Sequence, residues 1–292
     1  MMELTLRSGA LCAKVSTHGG ELISLTDESG FDYIWNGDPA VWKGRNPNLF
    51  PIVGKLKDGH IQVGDFTCEM PQHGLVRQRE FQVLQSGPNF VEFGIAADAE
   101  TKLQYPFAFL LHIRHTLLPD GFETQFTVEN RDDAPMPFCI GAHTGFTCPL
   151  EPGKTLEDYA IHFSAEEDTG TIPIGSNGLM PQQRKLPLKG KQWDLQYGDF
   201  DREDTLIFEG LHSTQVTLSP KSGGKGVQMD FAGWPMLAFW TKPHAQAPFL
   251  CIEPWQGCTV CENADSDFFH KRHCVTLEPG KTWQRSFRVT LV

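Results

Sequence analysis

The chain has 292 residues, of which 40% are hydrophobic, 11% aromatic and 21% charged, a composition typical of globular proteins that excludes a largely disordered chain. Its 25 basic residues against 36 acidic ones give a formal charge of -11, which would repel a nucleic-acid backbone. The length is within the range of one large all-β unit, and we expect a single domain over residues 1–292.

The start of the chain lacks a basic region followed by an apolar one, and no apolar run approaches the ~20 residues that span a bilayer. These observations predict a cytoplasmic protein without a membrane or nucleic-acid partner.

Period-two alternation of apolar and polar side chains is the strongest local signal. Phe122, Phe126 and Val128 share one face of a predicted strand over residues 122–129, and residues 111–117 alternate likewise before a Pro-Asp-Gly turn, which predicts a hairpin. Further strands are predicted in the runs 11–16, 91–95, 205–208, 214–218 and 287–291.

No convincing amphipathic helix of eleven or more residues is found, and 28 glycines and 20 prolines separate the short strands. The fold class predicted is therefore all-β, a large antiparallel β-sandwich. Residues 165–200 are polar and rich in Gly, Pro and Gln, and we expect a long surface excursion there.

Eight cysteines occur without a secretion signal, so we expect most of them to be reduced and buried. Cys258 and Cys261 have the two-residue gap of a zinc-binding pair, and His270, His273 and Cys274 follow. A second cleanly spaced pair is missing. We predict no metal site, with a zinc-stapled interaction protein as an alternative.

Four segments place a polar or ionisable residue among Gly, Pro and aromatic residues, as loops at the edge of a β scaffold do. They are residues 44–51, 71–77, 140–146 and 251–257.

Glu253 stands out because it follows the apolar run of residues 249–252 and precedes Pro254 and Trp255. Desolvation in such a setting raises a carboxyl pKa and makes a better base. A carboxylate that binds backbone amides or an arginine at a strand end would have the same sequence setting.

His143 and His73 lie in glycine-containing turns, and a histidine exchanges protons near neutral pH. Two histidines and one carboxylate suffice for acid-base catalysis without a metal. Arg45 has a fork of donors that suits sugar oxygens, although a salt bridge would use it equally well. Of the seven tryptophans, Trp240 and Trp255 are the candidates for stacking on a sugar ring.

Taken in order, these segments resemble the galactose mutarotase-like family, especially the LacX-like branch of the aldose 1-epimerases. The resemblance spans nearly the whole chain. It is carried by residues 45–51, by the turn of residues 73–77, by the His143 turn and by Glu253-Pro254-Trp255.

The resemblance implies a β-supersandwich with a sugar in an open cleft, and an isomerase that needs no cofactor. It implies Glu253 as general base and His143 as general acid, with His73 and Arg45 as oxygen-binding residues. Asp204 looks like the family's hydroxyl-binding aspartate. The family usually has proline after the acid histidine, whereas this chain has Thr144, which leaves the aim of the imidazole open.

The function predicted is interconversion of the α and β anomers of a hexose. A hexose-phosphate epimerase is an alternative, with Lys55, Lys57, Arg77 and Arg79 as candidate phosphate ligands. A non-catalytic sugar-binding sandwich is another. A glycosidase would normally require two positioned carboxylates, and only Glu253 has a persuasive setting.

Overall fold

Antiparallel strands dominate the computed structural model, which describes residues 1–174, 178–180 and 186–292. The first strands in chain order are β1 (Glu3–Ser8), β2 (Leu11–Ser16), β3 (Glu21–Thr26), β4 (Asn48–Leu49), β5 (His60–Val63), β6 (Phe66–Glu69), β7 (Gln82–Ser86), β8 (Phe90–Ala96), β9 (Phe109–Leu118), β10 (Gly121–Asn130) and β11 (Met136–Phe138). They are followed by β12 (Ile140–Ala142), β13 (Thr144–Thr147), β14 (Tyr159–Gly170), β15 (Pro187–Asp194), β16 (Leu206–Glu209), β17 (Gln215–Pro220), β18 (Val227–Asp230), β19 (Met236–Trp240), β20 (Phe249–Gln256), β21 (Val275–Leu277) and β22 (Thr282–Leu291).

Helices are short throughout the described residues. The α-helices are α1 (Ala99–Lys102) and α2 (Tyr197–Glu203), and single 3-10 turns lie at Lys57–Gly59, Val76–Gln78, Leu156–Asp158 and Phe268–His270. Neither α-helix reaches eleven residues, as the sequence predicts. In these parts of the chain no helix is long and apolar enough to cross a membrane.

Two large sheets organise the strands. One has nine strands in the order β15-β14-β17-β18-β22-β10-β9-β8-β7, and the other has the order β16-β19-β20-β12-β4, with β13 also paired to β20. In the nine-stranded sheet the register shifts between Val83 and Gln85 on β7, and between His162 and Glu167 on β14. The predicted all-β antiparallel fold is confirmed.

The hairpin of β9 and β10 shows how the sequence specifies the larger sheet. Burial alternates strictly along β9, and along β10 from Phe122 onward, and Phe122, Phe126 and Val128 are buried on one face, as predicted. Because alternate side chains of a strand point to opposite faces, this pattern commits one face of the hairpin to the core.

A continuous cluster of buried apolar side chains joins the two large sheets. It includes Ile113 and Phe126 from the nine-stranded sheet and Leu237 and Ile252 from the other. Leu250 and Ile252 of β20 belong to this core, so the alternate side chains of β20 face the opposite side of the sheet.

The prediction for residues 165–200 is wrong for residues 165–170, 187–194 and 197–200, which lie in β14, β15 and α2. Burial alternates along β14, which extends to Gly170 and pairs with β15, and α2 follows directly. The polar composition reflects the exposed face of this hairpin. Residues 175–177 and 181–185 of the predicted excursion lie outside the described residues.

Candidate active site

Glu253 and His143 are cross-strand neighbours. Strand β20 pairs with β13 from Phe249 to Ile252 and with β12 at Trp255 and Gln256, in one continuous register. Continuing that register between the two segments places Glu253 directly opposite His143. Side chains of directly opposite residues lie on the same face, with Cβ atoms about 4.5 to 5.5 Å apart.

Pro254 accounts for the interruption between β12 and β13. A proline has no N–H to donate to the sheet, and central strands rarely contain one. Pro254 lies at the position where the partner of β20 changes from β13 to β12, so its missing N–H coincides with the gap at His143. Glu253 therefore lies within strand β20. The sequence alone suggests a loop at the edge of the β scaffold.

The pair is buried and close. His143 Nε2 lies 3.4 Å from Glu253 Oε1, and the two residues are 9% and 0% exposed. Neither carboxyl oxygen of Glu253 has a hydrogen-bond partner among the described residues, and neither does His143 Nδ1. Buried polar atoms without partners are uncommon in proteins and need an explanation, such as a bound ligand or a catalytic role.

Burial shifts both groups toward their neutral forms. Desolvation raises the pKa of Glu253 well above its usual range, and the nearby Asp204 adds to the rise. The Trp255 indole faces the carboxyl and opposes the rise without forming a well-aligned hydrogen bond. Desolvation lowers the pKa of His143 to about 3, opposed by its own backbone. The pair therefore holds one exchangeable proton between a carboxyl and a neutral imidazole.

Aromatic rings enclose the His143 imidazole. The Trp42 ring lies 5.0 Å away at 32°, and the Trp240 ring lies 5.5 Å away at 75°. The His73 ring meets it edge-on at 5.6 Å and 88°. Three neighbouring rings restrict the rotation of the imidazole and exclude water from its faces.

Thr144 compensates for the proline that is absent after His143. Its hydroxyl donates a buried hydrogen bond of 2.7 Å to Asn46 Oδ1, and the Asn46 amide donates to the Leu22 carbonyl at 3.3 Å. This chain of bonds ties the turn that carries His143 to strand β3. Hydrogen bonds thus hold the orientation of the His143 imidazole, where the pyrrolidine ring of a proline at position 144 would stiffen the backbone.

His73 is held in one tautomer. The Gly54 amide donates to His73 Nδ1 at 3.2 Å, so this nitrogen carries no proton. Burial lowers the pKa of His73 well below its usual range, which keeps the ring neutral with its proton on Nε2, where the Gln72 side-chain amide lies 3.2 Å away. The backbone supports this placement through a positive φ of 69° and a close approach of Gly74 to Phe50, where a Cβ would lie 2.2 Å from the carbonyl oxygen.

Asp204 and Trp240 form a polar edge of the same site. Asp204 Oδ1 accepts hydrogen bonds of 3.1 Å from the Trp240 indole and the Thr205 hydroxyl. Asp204 ends α2 with φ 59° and ψ -82°, a conformation that costs about 1 to 3 kcal/mol in a non-glycine residue. Strain of this kind concentrates at ligand sites.

These side chains open into one cavity of about 570 Å³, a size that suits a small ligand. Its lining includes five of the predicted residues, Glu253, His143, His73, Asp204 and Trp240. It also includes Lys55, Gln72, Glu203, Thr205 and Trp255, among others. Gln72 and Glu203 directly precede predicted site residues, so adjacency in the sequence is the signal that would have found them.

Arg45 is placed differently from the other predicted residues. Its guanidinium donates to the Ile23 carbonyl at 3.2 Å, and it is not among the residues that line the cavity. Its backbone carbonyl accepts from Gly145, which binds the loop to β13. The placement gives no geometric support to a sugar-binding role for Arg45, because its Nη1 donor bonds to β3 and the residue does not line the cavity.

The candidate phosphate ligands are also dispersed. Of Lys55, Lys57, Arg77 and Arg79, only Lys55 lines the cavity. Arg79 pairs with Asp98 at 2.9 Å and Glu100 at 3.3 Å.

The arrangement expected for a zinc-stapled protein is likewise absent from the described residues. Cys258 and Cys261 have no third histidine, cysteine or carboxylate within metal-ligand distance there. His270 pairs with Asp265 and His273 with Glu209.

The fold is that of a galactose mutarotase-like β-sandwich, and its cavity contains a buried pair of a carboxyl and an imidazole. The chain belongs to the aldose 1-epimerase family, whose model matches residues 2–290. It is 33% identical to the plasmid-encoded protein LacX of Lactococcus lactis subsp. lactis over 301 residues, which cover 100% of both chains.

Solved structures agree with this assignment. A galactose mutarotase related enzyme from Lactobacillus acidophilus superposes with a TM-score of 0.94 at 28% identity, over 100% of this chain and 97% of that one. A galactose mutarotase-like protein from Lactobacillus casei gives a TM-score of 0.93 at 26% identity, over 100% of both chains.

Proposed function

We propose that residues 1–292 form one aldose 1-epimerase unit, which interconverts the α and β anomers of a hexose by opening and closing its ring. One observation carries the proposal. A fully buried carboxyl with no hydrogen-bond partner among the described residues lies 3.4 Å from a neutral imidazole, and both face a cavity large enough for a sugar.

The proposed roles follow from what each group can donate or accept. Glu253 takes the proton of the C1 hydroxyl, and His143 gives a proton to the ring oxygen. The bond between C1 and the ring oxygen then breaks, leaving an aldehyde. Rotation about the C1–C2 bond and the reverse proton transfers close the ring to the other anomer.

The single proton of the pair explains how burial assists this reaction. The reactive form has an ionised Glu253 and a protonated His143, and hydrogen bonds from sugar hydroxyls to the carboxylate favour this form. Ring opening protonates Glu253 and leaves His143 neutral, which is the form that desolvation favours. Two proton transfers, each contributing about 10² to 10⁴-fold, are sufficient, and the reaction requires no cofactor.

The remaining cavity residues position the sugar in this proposal. The sugar oxygen replaces the Gln72 side chain as the partner of His73 Nε2 and accepts its proton. Asp204 accepts a hydrogen bond from a sugar hydroxyl, and Trp240 packs against the ring. Lys55 supplies the cationic donor that the sequence assigns to Arg45, because its side chain lines the cavity.

The test is anomer exchange measured by NMR on freshly dissolved α-anomers of several hexoses and their 6-phosphates. Glu253→Gln retains size and shape but cannot take the C1 proton, so exchange should fall by about 10² to 10⁴-fold while calorimetry still detects sugar binding. Glu100→Gln, a change at an exposed carboxylate outside the cavity, is the matched control.

Combining Glu253→Gln with His143→Asn should cost much less than the product of the single losses, because both groups act in one event. A folded Glu253→Gln protein with normal exchange would overturn the proposed mechanism. Sugar binding without any exchange by the unaltered protein would instead establish a non-catalytic sugar-binding sandwich.

A further inference from the structure

A third potential metal ligand lies beside the acid-base pair. Cys251 is two residues before Glu253 on β20, so both side chains are on the same face of the strand. One ligand atom from each of His143, Cys251 and Glu253 lies within 4.8 Å of the other two, and all three residues are buried. The described residues contain no other group of three such ligands.

The cross-strand neighbours of Cys251 place no competing metal ligand beside the thiol. Gly145 lies opposite it on β13, and Trp240 lies opposite it on β19. Glycine contributes no side chain there, and the space above Gly145 is filled by Trp42 and Trp35, which pack in the same aromatic cluster as Cys251. An ion that enters through the cavity meets Glu253 and His143 at its lining, with the thiol of Cys251 beside them.

The spacing of the three groups is close to that of a tetrahedral site. Bonds of about 2.0 to 2.3 Å to nitrogen, oxygen and sulfur imply ligand atoms about 3.3 to 3.8 Å from one another. The separation of His143 Nε2 from Glu253 Oε1 is 3.4 Å, and the remaining separations do not exceed 4.8 Å. Side-chain movements of about 1 Å would therefore complete the geometry.

The ligand atoms are also uncommitted. Both carboxyl oxygens of Glu253 lack hydrogen-bond partners within the described residues, and Cys251 is a free thiol. Imidazole, thiolate and carboxylate together suit a borderline-soft divalent ion, and three protein ligands leave a fourth position for a water molecule.

We infer that His143, Cys251 and Glu253 bind one Zn²⁺ ion, and that zinc at this position inhibits the protein. Bound zinc occupies the lone pair of His143 and the carboxylate of Glu253, so neither can exchange a proton with a sugar. The inhibition rests on the proposed function, whereas the binding of the ion does not.

Binding is tested with Co²⁺ in place of Zn²⁺, because a cobalt-thiolate bond gives a charge-transfer absorption that reports cysteine ligation directly. The unaltered protein should show this band with one ion per chain, and Zn²⁺ should displace the cobalt. Cys251→Ser should lose the band and weaken zinc binding in calorimetry on the order of 100-fold, at least the cost of losing an outer-shell partner.

Cys261→Ser is the matched control, because it removes one thiol from the alternative pair with Cys258. It should retain the band and the affinity. A band that survives Cys251→Ser, or one that Cys261→Ser abolishes, would overturn the inference. Near-UV circular dichroism establishes that each variant is folded, and Cys251→Ala serves as a second replacement if the serine variant is not.

Inhibition is measured separately as anomer exchange with and without Zn²⁺, relative to each variant's own zinc-free rate. The unaltered protein and Cys261→Ser should be inhibited, and Cys251→Ser should resist at the same zinc concentration. Activation by zinc would overturn the inhibitory role. If no variant catalyses exchange, the proposed function fails, while the cobalt spectrum still decides the metal site.

Discussion

Two buried histidines on different sheets show what separates a structural imidazole from a reactive one. His115 lies on β9 in the nine-stranded sheet, and burial lowers its pKa to about 4. His143 lies between β12 and β13, and burial lowers its pKa to about 3. Burial and charge state therefore do not distinguish the two residues.

Their hydrogen-bond partners do. His115 Nδ1 lies 2.9 Å from the Thr124 hydroxyl, directly opposite on β10, and its Nε2 lies 2.8 Å from the Gly20 carbonyl. His143 has a carboxyl in the equivalent cross-strand position, and its Nδ1 has no partner among the described residues. Thr124, opposite His115, satisfies the imidazole by a hydrogen bond within the core. Glu253, opposite His143, is a carboxyl that can exchange a proton with the imidazole.

The largest expected effect comes from replacing each histidine by asparagine. His143→Asn should lower the anomer exchange rate by about 10² to 10⁴-fold and change the free energy of unfolding little, because His143 Nδ1 has no hydrogen-bond partner among the described residues. His115→Asn should leave the exchange rate nearly unchanged and lower the free energy of unfolding. The reason is that the Thr124 hydroxyl and the Gly20 carbonyl lose their partner, and an unpaired buried group costs about 1 to 3 kcal/mol. The measurements are NMR exchange and urea unfolding on both variants. Equal loss of activity in His143→Asn and His115→Asn would contradict the distinction between a reactive and a structural histidine.

The pH dependence of stability sharpens the comparison. His115 titrates near 6.5 when unfolded and near 4 when folded, so the unfolded state binds more protons between these values. Its contribution is present above about pH 6.5 and is lost as the pH falls toward 4, a change of about 3 kcal/mol. Urea unfolding at pH 7 and pH 4 should show a smaller loss for His115→Gln than for the unaltered protein. Identical losses would contradict the assignment.

Glu253 should act on stability with the opposite sign. Its raised pKa makes the folded state hold a proton that the unfolded carboxyl has released, so its contribution is present below about pH 4.5 and is lost as the pH rises. Glu253→Gln should therefore increase the free energy of unfolding at pH 7 while exchange is lost. Unfolding of this variant and of Glu100→Gln at pH 7 gives the comparison, and a destabilised Glu253→Gln would refute it.

A smaller effect is expected from the bond that aims His143. His115 is fixed by its own partners, whereas the turn of His143 depends on the bond from Thr144 to Asn46. Thr144→Val should lower the exchange rate about 10-fold, through misplacement of the imidazole. Thr147→Val, which removes a bond to the Asp32 carbonyl from the same strand, should leave the rate unchanged. Similar rates in both variants would mean that Thr144 does not position the ring.

The smallest effect concerns the aromatic neighbours. Phe93 beside His115 has no polar atom, whereas Trp240 beside His143 donates to Asp204. Trp240→Phe should raise KM about 3 to 10-fold with little change in kcat, because one hydrogen bond contributes about 0.5 to 1.5 kcal/mol. Trp234→Phe, which removes an indole bond to the Ser286 carbonyl, should leave KM unchanged. An equal rise in both would argue against a role for Trp240 in sugar binding.

The strands were predictable where one face is buried and the other is not. The hairpin of β9 and β10 alternates cleanly in sequence because each strand has a core face and an outer face. Strand β20 is buried on both faces and has no alternation, so Glu253 looked like a residue at the end of a run. The polar hairpin of β14 and β15 was missed because its composition is that of a loop.

The site was predictable in its residue types and not in its geometry. Glu253, His143 and His73 stand out by their neighbours in the sequence, but the register that sets Glu253 opposite His143 depends on strands about 110 residues apart. Arg45 shows that the composition of a loop does not predict where its side chains point. Its flanking Gly and Pro are those of a site loop, yet the direction of its side chain is fixed by the Ile23 carbonyl.

The two register shifts in the nine-stranded sheet bear on how this protein avoids aggregation. An open sheet ends in two rows of unpaired backbone groups that can recruit another chain. Each shift lies in the outermost strand pair, between β7 and β8 and between β14 and β15. Strand β15 also begins with Pro187 and carries Lys189 and Lys191. Irregular pairing, proline and charge at these borders make them poor templates for pairing with the edge strand of a second chain.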